Sequence, residues 1–403
     1  MALTRYRAVL ALPGVRALLL VAMLARLPAT SMAVVLTLHV ALTLERGYAA
    51  AGLLVAAITA GAAFGNPLLG RITDRYGLRR MLLLSTSVQV SAWLAAPFVP
   101  YGALVAGGFL AGLLPLPVFG VVRQALAAMV PVSFRRTAYS LDSMSVEVAY
   151  ALGPALSVVL ATQVSTRAAM IGIALALLVS AVLLYLLNPP TREGAGQETE
   201  PVPRRSWLTA PLGAVLLGTA GALVVLAGTD VAIVAFLEQK GEVRWAGLAI
   251  AAWCVWSLIG GFVHGAVPRS LSLSTLMLTL CLFTIPVGLA ENWWMLCLVL
   301  IPAGALCAPT VAASSETVSQ LVPGSVRGTA MGLHASAMTV GAALGAPLVG
   351  VAVDWTGEAA WGFAAAGLGG LVFILAAVAY RRWGPAQPFR QAPAPLDGEP
   401  ANP

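Results

Sequence analysis

Twelve apolar stretches, each long enough for a helix and each closed by a short polar or glycine- and proline-containing break, run from residue 14 to residue 381. Among the stretches without any Asp, Glu, Lys or Arg are Gly47 to Gly70, Met81 to Val122, Ala168 to Thr191, Ser206 to Thr229, Trp245 to Pro268, Asn292 to Ser315 and Gly328 to Val353. A helix crossing a hydrocarbon core needs about 20 apolar residues. Most of these stretches therefore predict one span each, and the longest divides at Pro100-Tyr101-Gly102 into two. The pattern predicts helices at 14–43, 47–70, 80–98, 102–128, 137–162, 167–188, 207–236, 244–267, 271–290, 292–320, 325–353 and 358–381. No alternation of period two competes with this all-α reading.

The pattern also repeats. Met129 to Leu156 reads MVPVSFRRTAYSLDSMSVEVAYALGPAL, and 192 residues later Leu321 to Leu348 reads LVPGSVRGTAMGLHASAMTVGAALGAPL, with twelve of the 28 aligned positions identical. A repeated unit set between apolar runs is a membrane half-domain, and two pseudo-equivalent halves facing each other build the central site of many secondary transporters. The prolines and mixed charges of 189–206 read as a flexible linker. This gives six-helix bundles at 1–188 and 207–382, with a Pro- and Ala-rich segment, 383–403, expected to be disordered.

Composition fits a bilayer: 59% of the residues are hydrophobic and 10% charged, against about 25% charged in a soluble domain. The net charge of +7 is distributed by topology. Sixteen of the 23 basic residues (Arg5, Arg7, Arg71, Arg75, Arg79, Arg80, Arg135, Arg136, Arg192, Arg204, Arg205, Arg269, Arg327, Arg381, Arg382 and Arg390) fall on the side of the termini. By the positive-inside rule that side is the cytoplasm of a cell membrane. The surplus then needs no nucleic-acid partner. Cys254, Cys281, Cys297 and Cys307 lie within helices without metal-ligand spacing and read as small apolar fillers. No nucleotide-binding loop, catalytic triad or metal constellation is present, so no enzyme activity, metal or cofactor is expected, and the chain is expected to act as a monomer.

Between the second and third helices stands Gly70-Arg71-Ile72-Thr73-Asp74-Arg75-Tyr76-Gly77-Leu78-Arg79-Arg80. It resembles the signature loop of the major facilitator superfamily, G-x-L-x-D-R-x-G-R-R/K. Its glycines permit a short turn and close backbone approach, and Asp74 can accept hydrogen bonds from a neighbouring helix start or pair with an arginine. The resemblance implies a cytoplasmic latch formed by Gly70, Asp74, Arg75, Gly77, Arg79 and Arg80. The corresponding loop of the second half, from Gly260 to Arg269, keeps glycines but lacks the acid. Leu24-Ala25-Arg26-Leu27-Pro28 and Leu141-Asp142-Ser143-Met144-Ser145-Val146-Glu147 look like an actinobacterial-type efflux subgroup without an assigned substrate. The implied fold is two six-helix bundles with helices 1, 4, 7 and 10 lining the cavity. Superfamily antiporters often carry G-x8-G-x3-G-P-x2-G-G in the fifth helix. Here Gly153-Pro154 remains, Ala149 stands four before the glycine, and Ser157-Val158 replaces the final pair. Gly341, Gly345, Pro347 and Gly350 predict close packing on helix 11.

An ionisable group at mid-bilayer costs roughly 2.5 to 3.5 kcal/mol, so such residues usually face a polar interior. Arg26 lies about 18 Å into the first helix, and Glu147 about 15 Å into the fifth. Asp142 and Glu147 are some 140° apart around their helix, so that one faces a cavity while the other pairs inside the first bundle with Arg26 or Arg123. A fixed, charge-balanced network of all four is one reading. The other is that an acid of the set binds a proton, because desolvation favours a neutral carboxyl and a nearby arginine favours the charged one. Glu147 is the leading candidate by depth, followed by Asp142 and Asp230. Thr30, His39, Thr229 and Glu316 are candidates for a polar cavity wall.

The expected activity is proton-coupled export of a small amphipathic organic compound by alternating access, with substrate, protons and lipid as the partners. Nutrient uptake and a non-transporting membrane sensor are the alternatives. A sugar site would need many amides, and Asn66, Gln89 and Gln124 are nearly all that the spans contain.

Overall fold

The computed structural model describes residues 2–191, 203–267 and 271–383. Twelve helices answer to the twelve apolar stretches. They are α1 (Val15–Leu38, continued by a π-helical turn, His39–Thr43), α2 (Tyr48–Tyr76), α3 (Leu78–Ala95), α4 in two pieces (Tyr101–Leu113 and Val118–Met129), α5 (Arg135–Gln163) and α6 (Thr166–Leu187). The second half follows with α7 (Ala210–Gln239), α8 (Ala246–Ala266), α9 (Leu273–Thr284), α10 (Trp293–Leu321), α11 (Arg327–Thr356) and α12 (Ala360–Trp383). Eleven of the spans are long and apolar enough to cross a bilayer, and the ninth is the shorter Leu273–Leu289, whose end tightens to 3₁₀ geometry around Pro286. The linker residues 192–202 and the tail 384–403, with Arg192, Arg269 and Arg390, lie outside the described residues.

Two elements depart from the expected boundaries. The second helix continues past residue 70 to Tyr76, so the signature segment is the last turns of a helix and not a loop. Gly77 alone separates α2 from α3, at φ 84°, a conformation open to glycine at little cost. The fourth helix breaks at Leu114-Pro115-Leu116-Pro117, where two prolines withdraw backbone donors. Its freed carbonyls are satisfied by α3. Gln89 Nε2 donates to Ala111 O at 2.7 Å and Leu114 O at 3.1 Å, and Ser85 Oγ donates to Pro115 O at 2.7 Å. Non-helical backbone at membrane depth persists when it is buried and paired in this way.

Each half has its own apolar cores. Leu18, Ala22, Met81, Val122, Leu126 and Tyr139 belong to one in the first half, and Phe236, Trp253, Leu300 and Phe363 to one in the second. The repeated sequences become α5 and α11, and each crosses to the opposite half, α5 against α8 and α11 against α2. Gly153 and Gly345 occupy equivalent repeat positions and serve the same purpose. A Cβ at Gly153 would fall on Thr30 Oγ1 and Leu27 O of α1, and one at Gly345 on Val224 O of α7. These are small-residue contacts of the kind that hold helices together where lipid supplies no hydrophobic drive. Pro347 is an exposed position within α11.

A short helix, Ala2–Ala11, precedes α1 and turns into it through Gly14 at φ 77°. Its Tyr6 stacks on Phe262 of α8, 5.0 Å between ring centres, and donates to Phe262 O at 2.7 Å. The first residues of the first half thus reach across to the second. Burial pushes the Tyr6 phenol up to about 12.

Candidate functional site

The two seams between halves, α2 with α11 and α5 with α8, close the molecule on the side that bears the termini. In the first, Asp74 accepts from Gly328 N at 2.9 Å, Thr329 N at 2.6 Å and Thr329 Oγ1 at 2.8 Å. These N–H groups belong to the first turn of α11, which has no intrahelical acceptors for them. Asp74 therefore caps a helix of the other half and favours the positive end of its dipole. Gln124 holds the same carboxylate at 3.1 Å from its own half, and Gly70 packs directly on the Gly328 carbonyl, where a Cβ would collide. The motif arginines stay on their own side. Arg75 lies over the Tyr76 ring, Arg79 bonds Tyr185 O at 3.3 Å and covers that ring, and Arg80 is exposed.

The second seam matches the first through the repeat. Thr137, at the position equivalent to Thr329, donates to Gly265 O of α8 at 2.7 Å. Nearby, Arg136 and Glu316 pair across the halves at 3.6 Å. Among the described residues, the hydrogen bonds and ion pairs between halves lie on the terminus side or at mid-depth, including Ser336 Oγ to Ala63 O at 2.6 Å.

Asp142 joins two buried arginines inside the first bundle. Arg26 Nη2 bonds Oδ1, and Arg123 Nε reaches Oδ2 at 3.2 Å. All three residues are at most 1% exposed. Arg26 also donates to Ser145 Oγ and lies 5.1 Å from the Phe119 ring centre. Arg123 Nη1 points at Met338 Sδ, 3.2 Å away on α11. The trio carries one surplus positive charge, and Glu147 is not part of it.

Glu147 instead faces a central cavity of about 1050 Å³ with Asp230, Tyr150, Pro154, Trp253 and Cys254 on its wall. No arginine or lysine lines this cavity among the described residues. Ser257 Oγ of α8 donates to Glu147 Oε1 at 2.8 Å, and Cys254, one turn earlier on α8, lines the same cavity. Among the described residues Asp230 has neither a hydrogen bond nor an ion pair, and it is near enough to Glu147 for the two charges to interact. The lining runs from Val99, Ala103 and Gly247, near the helix ends remote from the termini, to Gly70, Thr73, Gln124 and Gly328 beside the Asp74 seam.

None of Thr30, His39, Thr229 and Glu316 lines this cavity. Thr30 Oγ1 donates to Ala149 O and so seals α1 against α5. His39 is fully buried and bonds Thr166 Oγ1 at 3.0 Å. Thr229 donates to Val225 O in its own helix, and Glu316 is held by Arg136. Each finds a partner nearer than the cavity. Cys254, read as a small apolar filler, lines this cavity. The sequence reading names neither Ser257 nor Tyr6, and it gives Asp74 a neighbouring helix start without identifying it as that of α11. The repeat register was the available signal, since it equates Thr137 with Thr329.

The family model of the Major Facilitator Superfamily matches residues 18–269 and 242–402. Several solved structures share the fold. One is a bacterial homologue of the iron transporter ferroportin in an outward-facing state, at TM-score 0.73 and 17% identity, over 92% of this chain and 100% of that one. Another is the human organic anion transporter MFSD10 (TETRAN), at 0.70 and 15% identity, over 92% and 99%. A third is the proton:xylose symporter XylE, at 0.70 and 14% identity, over 90% and 94%. No curated protein sequence matches the chain.

Proposed function

This chain belongs to the Major Facilitator Superfamily, and from that premise we propose that it is a secondary active transporter exporting a small amphipathic organic compound in exchange for protons. The observation that carries the reading is Glu147, a carboxylate on the wall of a largely apolar central cavity that accepts a hydrogen bond from Ser257 of the other half. Charge balance supports a proton there. Arg26 and Arg123 stand against Asp142, Glu147 and Asp230, so the ionised set carries one uncompensated acid, and a single bound proton neutralises it. A neutral set crosses the closed intermediate of a transport cycle without the cost of a buried net charge. Asp142, held by both arginines, is the least available of the three acids.

Positive-inside bias places both termini in the cytoplasm of the cell membrane. The seams at Asp74 and Thr137 then close the cytoplasmic side, with Asp74 as the latch, and the cavity serves the outer face. Apolar walls with few amides suit an amphipathic compound better than a sugar, and the protein acts as a monomer.

The test uses oriented proteoliposomes, an imposed pH gradient and amphipathic compounds drawn from the gene neighbourhood. Wild type moves compound against the proton flow, whereas Glu147→Gln loses gradient-driven accumulation and retains exchange. Unchanged accumulation in the Gln variant rules out Glu147 as the carrier. Inward movement of compound together with protons overturns export in favour of uptake.

A further inference from the structure

We infer that Ser257 is the positioning residue that ties protonation of Glu147 to closure of the terminus side, an inference that rests on Glu147 being the proton carrier. Ser257 is fully buried in α8. Its oxygen accepts from Ala308 N of α10 at 3.1 Å, which fixes the hydroxyl and turns its single proton toward Glu147 Oε1, 2.8 Å away. Glu147 belongs to the first half and Ser257 to the second, so the bond exists only while the α5 and α8 seam is closed.

Among the described residues, no other titratable group around Glu147 makes a hydrogen bond to its carboxylate. Asp230 of α7 faces it across the cavity, and Cys307 of α10 and Tyr150 of α5 stand within electrostatic range. Arg26 and Arg123 lie behind, held on Asp142. Cys254 of α8 stands on the cavity wall within electrostatic range of the carboxylate.

A hydrogen bond donated to a carboxylate favours its charged form. By reciprocity, the charged form favours the arrangement that supplies the donor. Ionised Glu147 therefore holds α5 on α8, and a proton arriving through the cavity weakens that hold. Parting of the seam removes Ser257 and leaves the proton on Glu147. Once the terminus side is open, release of the proton there resets the carboxylate, which re-forms the bond as the seam closes.

The test measures the ratio of open to closed terminus side between pH 9 and pH 5 in lipid nanodiscs. Spin labels are carried by a keto amino acid at exposed Val132 and Leu208, which leaves the native cysteines in place. In wild type the ratio rises as pH falls, and in Glu147→Gln it is flat. Ser257→Ala lowers the pH-driven change in the ratio by about tenfold or more, as expected for one hydrogen bond to a charged group. Ser257→Thr, which keeps the hydroxyl, restores the change. A flat Glu147→Gln variant with a wild-type response in Ser257→Ala overturns the role of Ser257 and leaves the carrier standing. A pH response in Glu147→Gln equal to wild type, or none in wild type, overturns both. If the Ala variant does not fold, Ser257→Cys, of similar shape and weaker donor strength, gives an intermediate response, and a wild-type response from it overturns the role.

Discussion

Asp74 supplies acceptors that the first N–H groups of α11 lack within their own helix. Asp74→Asn keeps one acceptor oxygen and loses the charge. A capping interaction is worth about 0.5 to 2 kcal/mol, so the closed state loses roughly twofold to thirtyfold in population. Transport should fall while membrane insertion stays intact, measured at equal expression in proteoliposomes. At Asp142 the order of effects is set by the count of charges. Asp142→Asn leaves two buried arginines facing each other, and breaking such an arrangement costs about 3 to 5 kcal/mol. Arg26→Met removes the surplus cation while Arg123 stays on the carboxylate, so it costs less. Melting of the two purified variants in detergent checks the order, which reverses if Arg26 is the sole partner that matters. The sequence placed Arg26 and Glu147 at depth and Asp142 and Glu147 on different faces of one helix, but not which acid pairs. Rotation around one helix separates the two acids, and only the neighbours that α1, α4 and α8 bring decide which is held and which faces the cavity.

Packing of the helices depends on positions where a side chain has no room. Gly153→Ala and Gly345→Ala each insert a methyl against backbone of α1 or α7, at a cost of about 1 to 3 kcal/mol. Gly350→Ala, with nothing within reach of its Cβ, should leave stability unchanged or slightly improved. A thermal-stability comparison of the three variants checks the contrast, and equal losses at Gly345 and Gly350 would refute it. The N-terminal helix makes a second prediction. Tyr6→Ala removes the stack and the bond on α8 and should loosen closure of the terminus side, seen as faster proteolysis there. Because the Tyr6 phenol is raised to about 12, it stays neutral and donating at physiological pH. Its contribution is complete below about pH 10 and is lost as the pH climbs through about 12. The apolar pattern located the spans closely, since span length is set by the bilayer. It misjudged the end of α2, where polar residues continue a helix because partners on α11 and α4 satisfy them.

The whole molecule is two copies of one plan locked along two matched seams, with a cavity between them. A cysteine at Ala227, on the cavity wall, should react with a membrane-impermeant maleimide added to the face opposite the termini. Adding Asp74→Asn should slow that labelling, because weaker closure of the terminus side shifts the population away from this state. Equal labelling from both faces would contradict a closed terminus side. The sequence by itself determined the twelve helices, the duplication, the signature segment and the presence of a few deep charges, because hydrophobic length and local turn chemistry act residue by residue along the chain. Only the tertiary structure decided which acid is held and which is offered, that Asp74 caps a helix more than 250 residues away, and that Ser257 meets Glu147. Those contacts join residues of different halves, and their partners are fixed by the three-dimensional packing of the two copies and by no local pattern.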